Sequence, residues 1–461
     1  MRKITIYGLL FIALLTNSCS KFLEVTPKGK FLPETVADYE LFMNDPVMAY
    51  AGYGNEEFMT DDINYNDSLL AGMNDSRAAK SYLWTKDLMK ELEDDPEWNN
   101  SYSNIYNCNL VLSKIGTATG GTPEDVSRLT AEAKIRRAYH LFHLANLFGN
   151  DYQAATAGTD LAVPILLVPD LEAKTKRATV QEVYDQVIKD LNEAISESGL
   201  PVMGRNYIHP GKAAAYALQA RVYLYMGNYA AAQKAADAAL ALKSTLLDHN
   251  TFSYPNPAKP TAAVTGRPSV DANPENIFTT TNSFSGIITR FLISPELLSI
   301  LGEKDLRYVY TFTRLTSKGT PSPSPYPDYI ANYINYSIGV PEMMLIKAEC
   351  LARNNSKDEA ISLLNTLRKK RFKAADYADL TAATADDALV QVLAERRREL
   401  MYHGLRWFDL KRLNRDPRFK KDLTRTYKGV TYTLPANGPR YLLQIAPKII
   451  SINPAIIQNP R

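Results

Sequence analysis

Residues 395–413 read E-R-R-R-E-L-M-Y-H-G-L-R-W-F-D-L-K-R-L, and the rest of the chain is organised around them. Leu400, Leu405, Trp407, Phe408 and Leu410, with Leu393 just upstream, are set among Arg, Glu and Lys in helical composition. Charges three residues apart on a helix are neighbours, so Glu395 can pair with Arg398, and Asp409 with Arg406 and Arg412. Gly404 weakens a helix at this point by about 1 kcal/mol relative to Ala. The pattern predicts a helix ending near His403, a turn at Gly404, and a second short helix carrying Trp407 and Phe408 inward. The Arg and Glu side chains of the stretch are read as holding the fold together, not as touching a ligand.

Upstream, three stretches share a helix–turn–helix pattern. Thr130 to Phe148 is the first helix of one, with a partner from about Thr179 to Glu197. Lys212 to Leu242 is the clearest: Gly227, Tyr229, Ala232 and Ala239 fall where a tetratricopeptide repeat needs a turn, an aromatic wedge and small contacts. Pro341 to Arg371 is the third, with Ala348, Ala360 and Leu367 in equivalent positions and a turn at Asn354-Asn355-Ser356. Small residues let helices approach and bury a shared face. The long insertions between these units argue for repeats embedded in a larger globule. His140 and His143 lie three apart on the first helix, but without H-E-x-x-H and with 5 His in the chain they read as packing, not metal ligands.

Two regions read as irregular. From His249 to Asn335, prolines at 255, 257, 260, 268, 274, 321, 323, 325 and 327 forbid continuous helix, with a short strand expected within Ile277–Ile293. Loops on a rigid scaffold are where specificity usually lives, so Phe284, Tyr326, Tyr329 and Tyr333 are candidate sugar platforms. The second region, Asp61 to Trp84, supplies Tyr65, Asn74, Tyr82 and Trp84 as further ligand candidates. Asp62, Asn64 and Asn66 match the first offsets of a calcium loop, but Asp67 stands where Gly is needed and Met73 where Glu is needed. A polar, aromatic loop facing a ligand is the preferred reading, with no metal and no cofactor. Trp98 to Ile115 reads as a helix, Val36 to Asn44 as a short one, and Tyr427 to Leu434 as a short strand.

At the N-terminus, Arg2 and Lys3 precede an apolar run from Ile4 to Leu15 and then Thr16-Asn17-Ser18-Cys19. The run is too short to span a bilayer and reads as a signal peptide over residues 1–18. Cys19 after Ser18 resembles a bacterial lipobox, although Thr16 and Asn17 depart from the usual pattern, so Cys19 is the expected lipidation site. Cys108 and Cys350 remain, read as two buried thiols. A net charge of +3 gives no reason to propose nucleic acid as a partner. Tyr outnumbers Phe 28 to 15, which suits surfaces that meet polar ligands as well as simple packing.

E-R-R-x-E-L-x-x-x-G-x-R-W-x-D-L-x-R, as it stands from Glu395 to Arg412, resembles the C-terminal signature of the SusD/RagB family. Cys19 to Glu24 resembles the family's C-x-x-x-L-[DE] start, Trp98 to Asn109 its W-x-x-x-Y-x-x-I-x-x-x-N run, and Asn453 to Pro460 its N-P-x-x-x-Q-N-P ending. The resemblance implies a mostly α fold: one SusD-like domain over residues 19–461. Its parts would be a helical scaffold at about 97–245 and 340–413, a loop-rich ligand lobe with few short strands at about 249–335, and a tail from 414 to 461. It further implies a lipid-anchored, non-enzymatic protein of the outer membrane, facing the cell surface. Such a protein holds an oligosaccharide or polysaccharide and passes it to a SusC-like TonB-dependent transporter. The same lid role for peptides, and a protein-binding repeat adaptor, stay open as alternatives.

Overall fold

Buried alanines line the facing sides of two of the long helices, and threonines cap three of the helices. The computed structural model describes residues 33–50, 54–256, 264–280, 291–315, 321–327 and 334–461. Cys19 and the other N-terminal residues, and Phe284, Tyr329 and Tyr333, lie outside these ranges.

The described chain opens with short pieces: α1 (Val36–Met43), α2 (Asn55–Met59), β1 (Ile63–Asn64), α3 (Asp67–Gly72) and α4 (Arg77–Tyr82). Long helices follow as α5 (Pro96–Lys114), α6 (Pro123–Phe148), α7 (Val180–Ser196), α8 (Lys212–Tyr225) and α9 (Tyr229–Leu242). The lobe adds β2 (Asn276–Phe278), β3 (Leu292–Ile293), α10 (Pro295–Leu301), α11 (Leu306–Thr311), β4 (Phe312–Leu315) and β5 (Pro321–Pro327). Then come β6 (Ile338–Gly339), α12 (Val340–Arg353), α13 (Lys357–Arg368), α14 (Ala385–Glu399) and α15 (Arg406–Leu413). A hairpin of β7 (Leu423–Tyr427) and β8 (Val430–Leu434) precedes α16 (Pro447–Ile452). The strands pair antiparallel in twos: β1 with β3, β2 with β6, β4 with β5, β7 with β8.

The predicted helix pairs are present, and their starts have a chemical cause. Thr122, Thr179 and Thr384 each cap the third amide of α6, α7 and α14, while Asp125, Glu182 and Asp387 reach back to the cap amide. Proline at the first turn of α5 and α6 loses nothing, because that amide has no partner in a helix anyway. Gly227, at φ 71°, makes the turn between α8 and α9, and Asn355, at φ 60°, the one between α12 and α13. Ala213, Ala217 and Ala220 of α8, and Ala232, Ala236 and Ala239 of α9, are all fully buried. The main core takes in α5 to α9 and α12 to α15, with α9 packed on α12 so that the two halves of the scaffold form one body.

The central stretch departs from expectation at its turn. The α14 helix stops at Glu399, four residues before His403. Tyr402 (φ 65°) and Gly404 (φ 76°) both adopt left-handed backbone there, which no helix continues. Trp407 and Phe408 do point inward, and Trp407 stacks on Tyr441 at 4.6 Å. Arg398 reaches Glu395, and Arg412 reaches Asp409, as expected. Arg406 instead makes a two-pronged pair with Asp61, at 2.8 and 2.9 Å. Arg396 takes its place on Asp409 at 2.8 Å.

The tail is stapled to the scaffold. Asn459 donates to the carbonyls of Phe148 and Leu443, and Gln458 exchanges two bonds with the Ile445 backbone. Cys108 and Cys350 are free, buried thiols. His140 packs edge-on to Tyr139, and His143 lies between Tyr139 and Phe408. Burial pushes the His140 imidazole down to about 3 and that of His143 to about 4, so both rings pack as neutral groups.

Candidate ligand-binding face

Two stretches more than two hundred residues apart in sequence come together as one surface. β1 of the Asp61–Trp84 stretch pairs with β3 of the lobe, Ile63 opposite Ile293 and Asn64 opposite Leu292. The Ser294 amide then donates to the Asp62 carbonyl at 2.9 Å. The β4–β5 hairpin packs beside β3. Beneath them lies a second apolar cluster that includes Phe58, Ile63, Leu70, Phe291, Leu297 and Phe312. The lobe therefore rests on a small core of its own, which is what fixes loops well enough to present a site.

The aromatic residues of the first stretch are the floor of this face. Tyr65 and Tyr82 are 5% and 3% exposed, with rings edge-on at 4.9 Å. The Tyr82 hydroxyl donates to Asn64 Oδ1 and accepts from the Tyr65 amide, both at 3.1 Å. Trp84 is 1% exposed, and its Nε1 donates to the Met59 carbonyl at 2.9 Å. The Arg425 guanidinium, from β7, sits 3.8 Å from the Tyr82 ring centre and 4.2 Å from that of Trp84. A ring face covered by a cation is not a platform for a sugar. Tyr65, Tyr82 and Trp84 thus support the surface and do not form it.

Asn74 and Tyr326 are placed differently. Asn74 is exposed, at the end of α3, with left-handed backbone (φ 49°) of the kind Asn tolerates. Tyr326 is half-buried on β5, and its hydroxyl donates to the Leu315 carbonyl at 2.6 Å, pinning the hairpin. Phe284 and Tyr329 lie outside the described residues. The structure adds Tyr308, half-buried against the same cluster and stacked on Phe312 at 5.7 Å, and Arg314, exposed on β4. The four-residue spacing of Tyr308 and Phe312 was the sequence signal for that stack.

The calcium-like residues are each committed elsewhere. Asp62 pairs with Arg397 at 2.7 Å, Asn64 accepts from Tyr82, and Asn66 caps α3 through the Leu69 amide. Below the face, Asp61 takes Arg406, Arg397 and Lys421, which hold its carboxyl well below the usual range. What reaches the surface is polar side chains, partial aromatic faces and main chain. Such a set binds by hydrogen bonds and stacking.

A family model described as "Starch-binding associating with outer membrane" matches residues 21–224, and one described as "SusD family" matches residues 334–461. The chain belongs to the SusD/RagB family. The SusD-like proteins P38 and P2 of Formosa agariphila are each 24% identical to it. The first match covers 69% of this chain and 72% of P38, the second 88% of this chain and 90% of P2. Among solved structures, a SusD superfamily protein of Bacteroides thetaiotaomicron superposes with a TM-score of 0.73 at 22% identity, over 93% of this chain and all of that one. A SusD-like carbohydrate binding protein of Bacteroides vulgatus gives 0.65 at 19% identity, over 92% and 97%. At these identities the structures establish a shared SusD-like fold, mostly α with few short strands. The SusD family is associated with the outer membrane, and among the described residues no helix is long and apolar enough to cross a membrane.

Proposed function

We propose that this SusD-like protein is a cell-surface lipoprotein that holds an oligosaccharide or polysaccharide and delivers it, unaltered, to a SusC-like TonB-dependent transporter. The observation that carries the reading is the joining of β1 to β3, which gives the lobe and the Asp61–Trp84 stretch one supported polar face on a rigid helical body. Binding of starch by the matched family and of carbohydrate by the Bacteroides vulgatus neighbour supports a glycan as cargo. Lipid on Cys19 would tether the body, in keeping with the signal-like run before it. Asn74, Tyr308 and Tyr326 are the described residues proposed to meet the glycan, with Phe284 and Tyr329 proposed from sequence.

The test is affinity electrophoresis of the protein through gels carrying soluble polysaccharides, paired with chromatography of the glycan afterwards. Retardation by a glycan that keeps its length supports capture without chemistry. Shortening of the glycan overturns it, and retention by immobilised peptides instead of glycans moves the cargo to another class. Purification from membranes should bring down an outer-membrane barrel, and its absence would remove the delivery step.

A further inference from the structure

A cleft of about 150 Å³ lies where the lobe meets the turn after α14; Asn74, Tyr308 and Tyr326 are not among the residues that line it. Its walls come from three parts of the chain: His249, Phe252 and Glu275 of the lobe, Ser337 beside β6, and Glu399 and His403 of the turn. Its charges are already matched. Arg307 contacts Asp305, Glu395 and Glu399, and Arg371 contacts Glu275 and Glu399. Arg368 and Arg398 complete Glu395. Of the other charged lining residues, Glu342 is held by Arg221, and Arg267 donates to the Tyr310 carbonyl, so each charged group of the wall already has a protein partner.

Hydrogen-bonding capacity is left over even so. His249 Nδ1 and Ser337 Oγ are buried with no partner among the described residues. Glu275 Oε1 takes both the Leu247 amide and Arg371, which leaves Oε2 unclaimed. The His249 ring is stacked on Phe252 at 4.8 Å. Nearby Arg371, Arg307 and Arg267, with burial, keep that ring neutral, so it offers one donor and one acceptor. Buried groups of this kind are costly unless something bonds them.

We propose that this cleft is a second ligand site, which takes one neutral polyhydroxylated ring, a free sugar or the end unit of a chain. Hydroxyls both donate and accept, which is what a neutral imidazole, a serine and a carboxylate oxygen together require. A cavity of roughly 150 Å³ can admit a six-membered ring. Phe252 backs the His249 ring on one side and carries Arg267 over it at 5.8 Å, so the rings serve to hold His249 in place and the hydrogen-bonding groups carry the recognition.

The proposal does not depend on the exposed face, and the test keeps the two apart by using single rings and by locating them. Crystals soaked in D-glucose, D-galactose, D-xylose or myo-inositol should show one of these in the cleft, and titration calorimetry should give millimolar or tighter binding. His249→Phe keeps the stacked ring and deletes Nδ1, while Ser337→Ala deletes the hydroxyl. Each should weaken binding at least tenfold with an unchanged circular-dichroism spectrum. If Ser337→Ala fails to fold, His249→Phe alone decides. The proposal is overturned if none of the four probes enters the cleft, if they are found only at the exposed face, if glucuronate or glucosamine binds better than glucose, or if His249→Phe binds as tightly as the parent.

Discussion

Two neighbouring regions bury charge in opposite ways. Around α14 and α15 nearly every buried ion has a partner: Arg396 and Arg412 share Asp409, Arg412 also grips Glu349 at 2.7 and 2.9 Å, and Arg397 holds Asp62. Around α2, three fully buried carboxyls, Glu56, Glu57 and Glu97, lie together with Asp95, and Arg77 reaches Asp95 and Glu97 at 3.0 Å. Glu56 and Glu57 each keep one oxygen without a hydrogen bond. The environments push the acids apart. Arg307, Arg398 and Arg368 overcome burial and hold Glu395 down at about 2, whereas burial and the nearby Asp62 carry Glu57 up to about 8 despite the Gly404 amide. The first region fixes geometry at any ordinary pH. The second is set to respond to pH.

Breaking the matched side has the largest expected effect. Arg397→Met keeps most of the side-chain volume but leaves Asp62 buried without its cation. Removing one partner of a buried pair costs about 3–5 kcal/mol. Urea unfolding should show that loss, together with a loosened β1–β3 junction, because Arg397 also bonds the Asp61 carbonyl and Glu296. A loss under about 1 kcal/mol would mean that the pairing is ornamental, and the contrast with α2 would collapse.

The unmatched side predicts a pH dependence. The Glu57 carboxyl has a folded pKa above its unfolded value, so the folded state binds the extra proton. Its contribution is full below the ordinary carboxylate range and is lost as pH rises toward about 8. One such group gives a slope approaching ~1.4 kcal/mol per pH unit, or about 2–3 kcal/mol between about pH 6 and 8. Glu57→Gln keeps an oxygen for the Gly404 amide and removes the titration. It should flatten the stability profile above about pH 6 and raise the melting temperature at about pH 8. An identical profile for variant and parent would show that Glu57 is ionised and satisfied in the folded state. Glu395 works in the other direction: its stabilisation is present above the carboxylate range and disappears only as pH falls toward about 2.

The same contrast separates what the sequence disclosed from what it hid. The scaffold was legible because its causes are local: Gly227 between α8 and α9, and small residues such as Ala232 and Ala239 at helical spacing. The boundary at Glu399 was not, because that carboxyl is claimed by Arg307 and Arg371 from far along the chain, and Tyr402 turns left-handed beneath the lobe. The candidate face was half legible. Its two stretches were recognisable as irregular and aromatic, but the burial of Tyr82 and Trp84 depends on Arg425, more than 300 residues later. No spacing rule links a tyrosine to a guanidinium at that range.

The smallest effect lies on the seam between the two regions. Gly404 donates its amide to Glu57 and sits between the matched helices α14 and α15, so it touches both kinds of buried charge. Its φ of 76° suits glycine, and a Cβ there would stand 3.3 Å from Glu56 Oε1 and 3.7 Å from the Tyr336 ring. Gly404→Ala should therefore cost about 1–2 kcal/mol, of which left-handed backbone strain supplies about 1. The remainder reports on Glu56. A methyl pressed against a carboxylate oxygen worsens its solvation, so the penalty should grow with pH as the buried acid is driven to ionise. A penalty that stays constant from about pH 5 to 8 would confine the effect to the backbone, and would uncouple the turn from the carboxyls beside it.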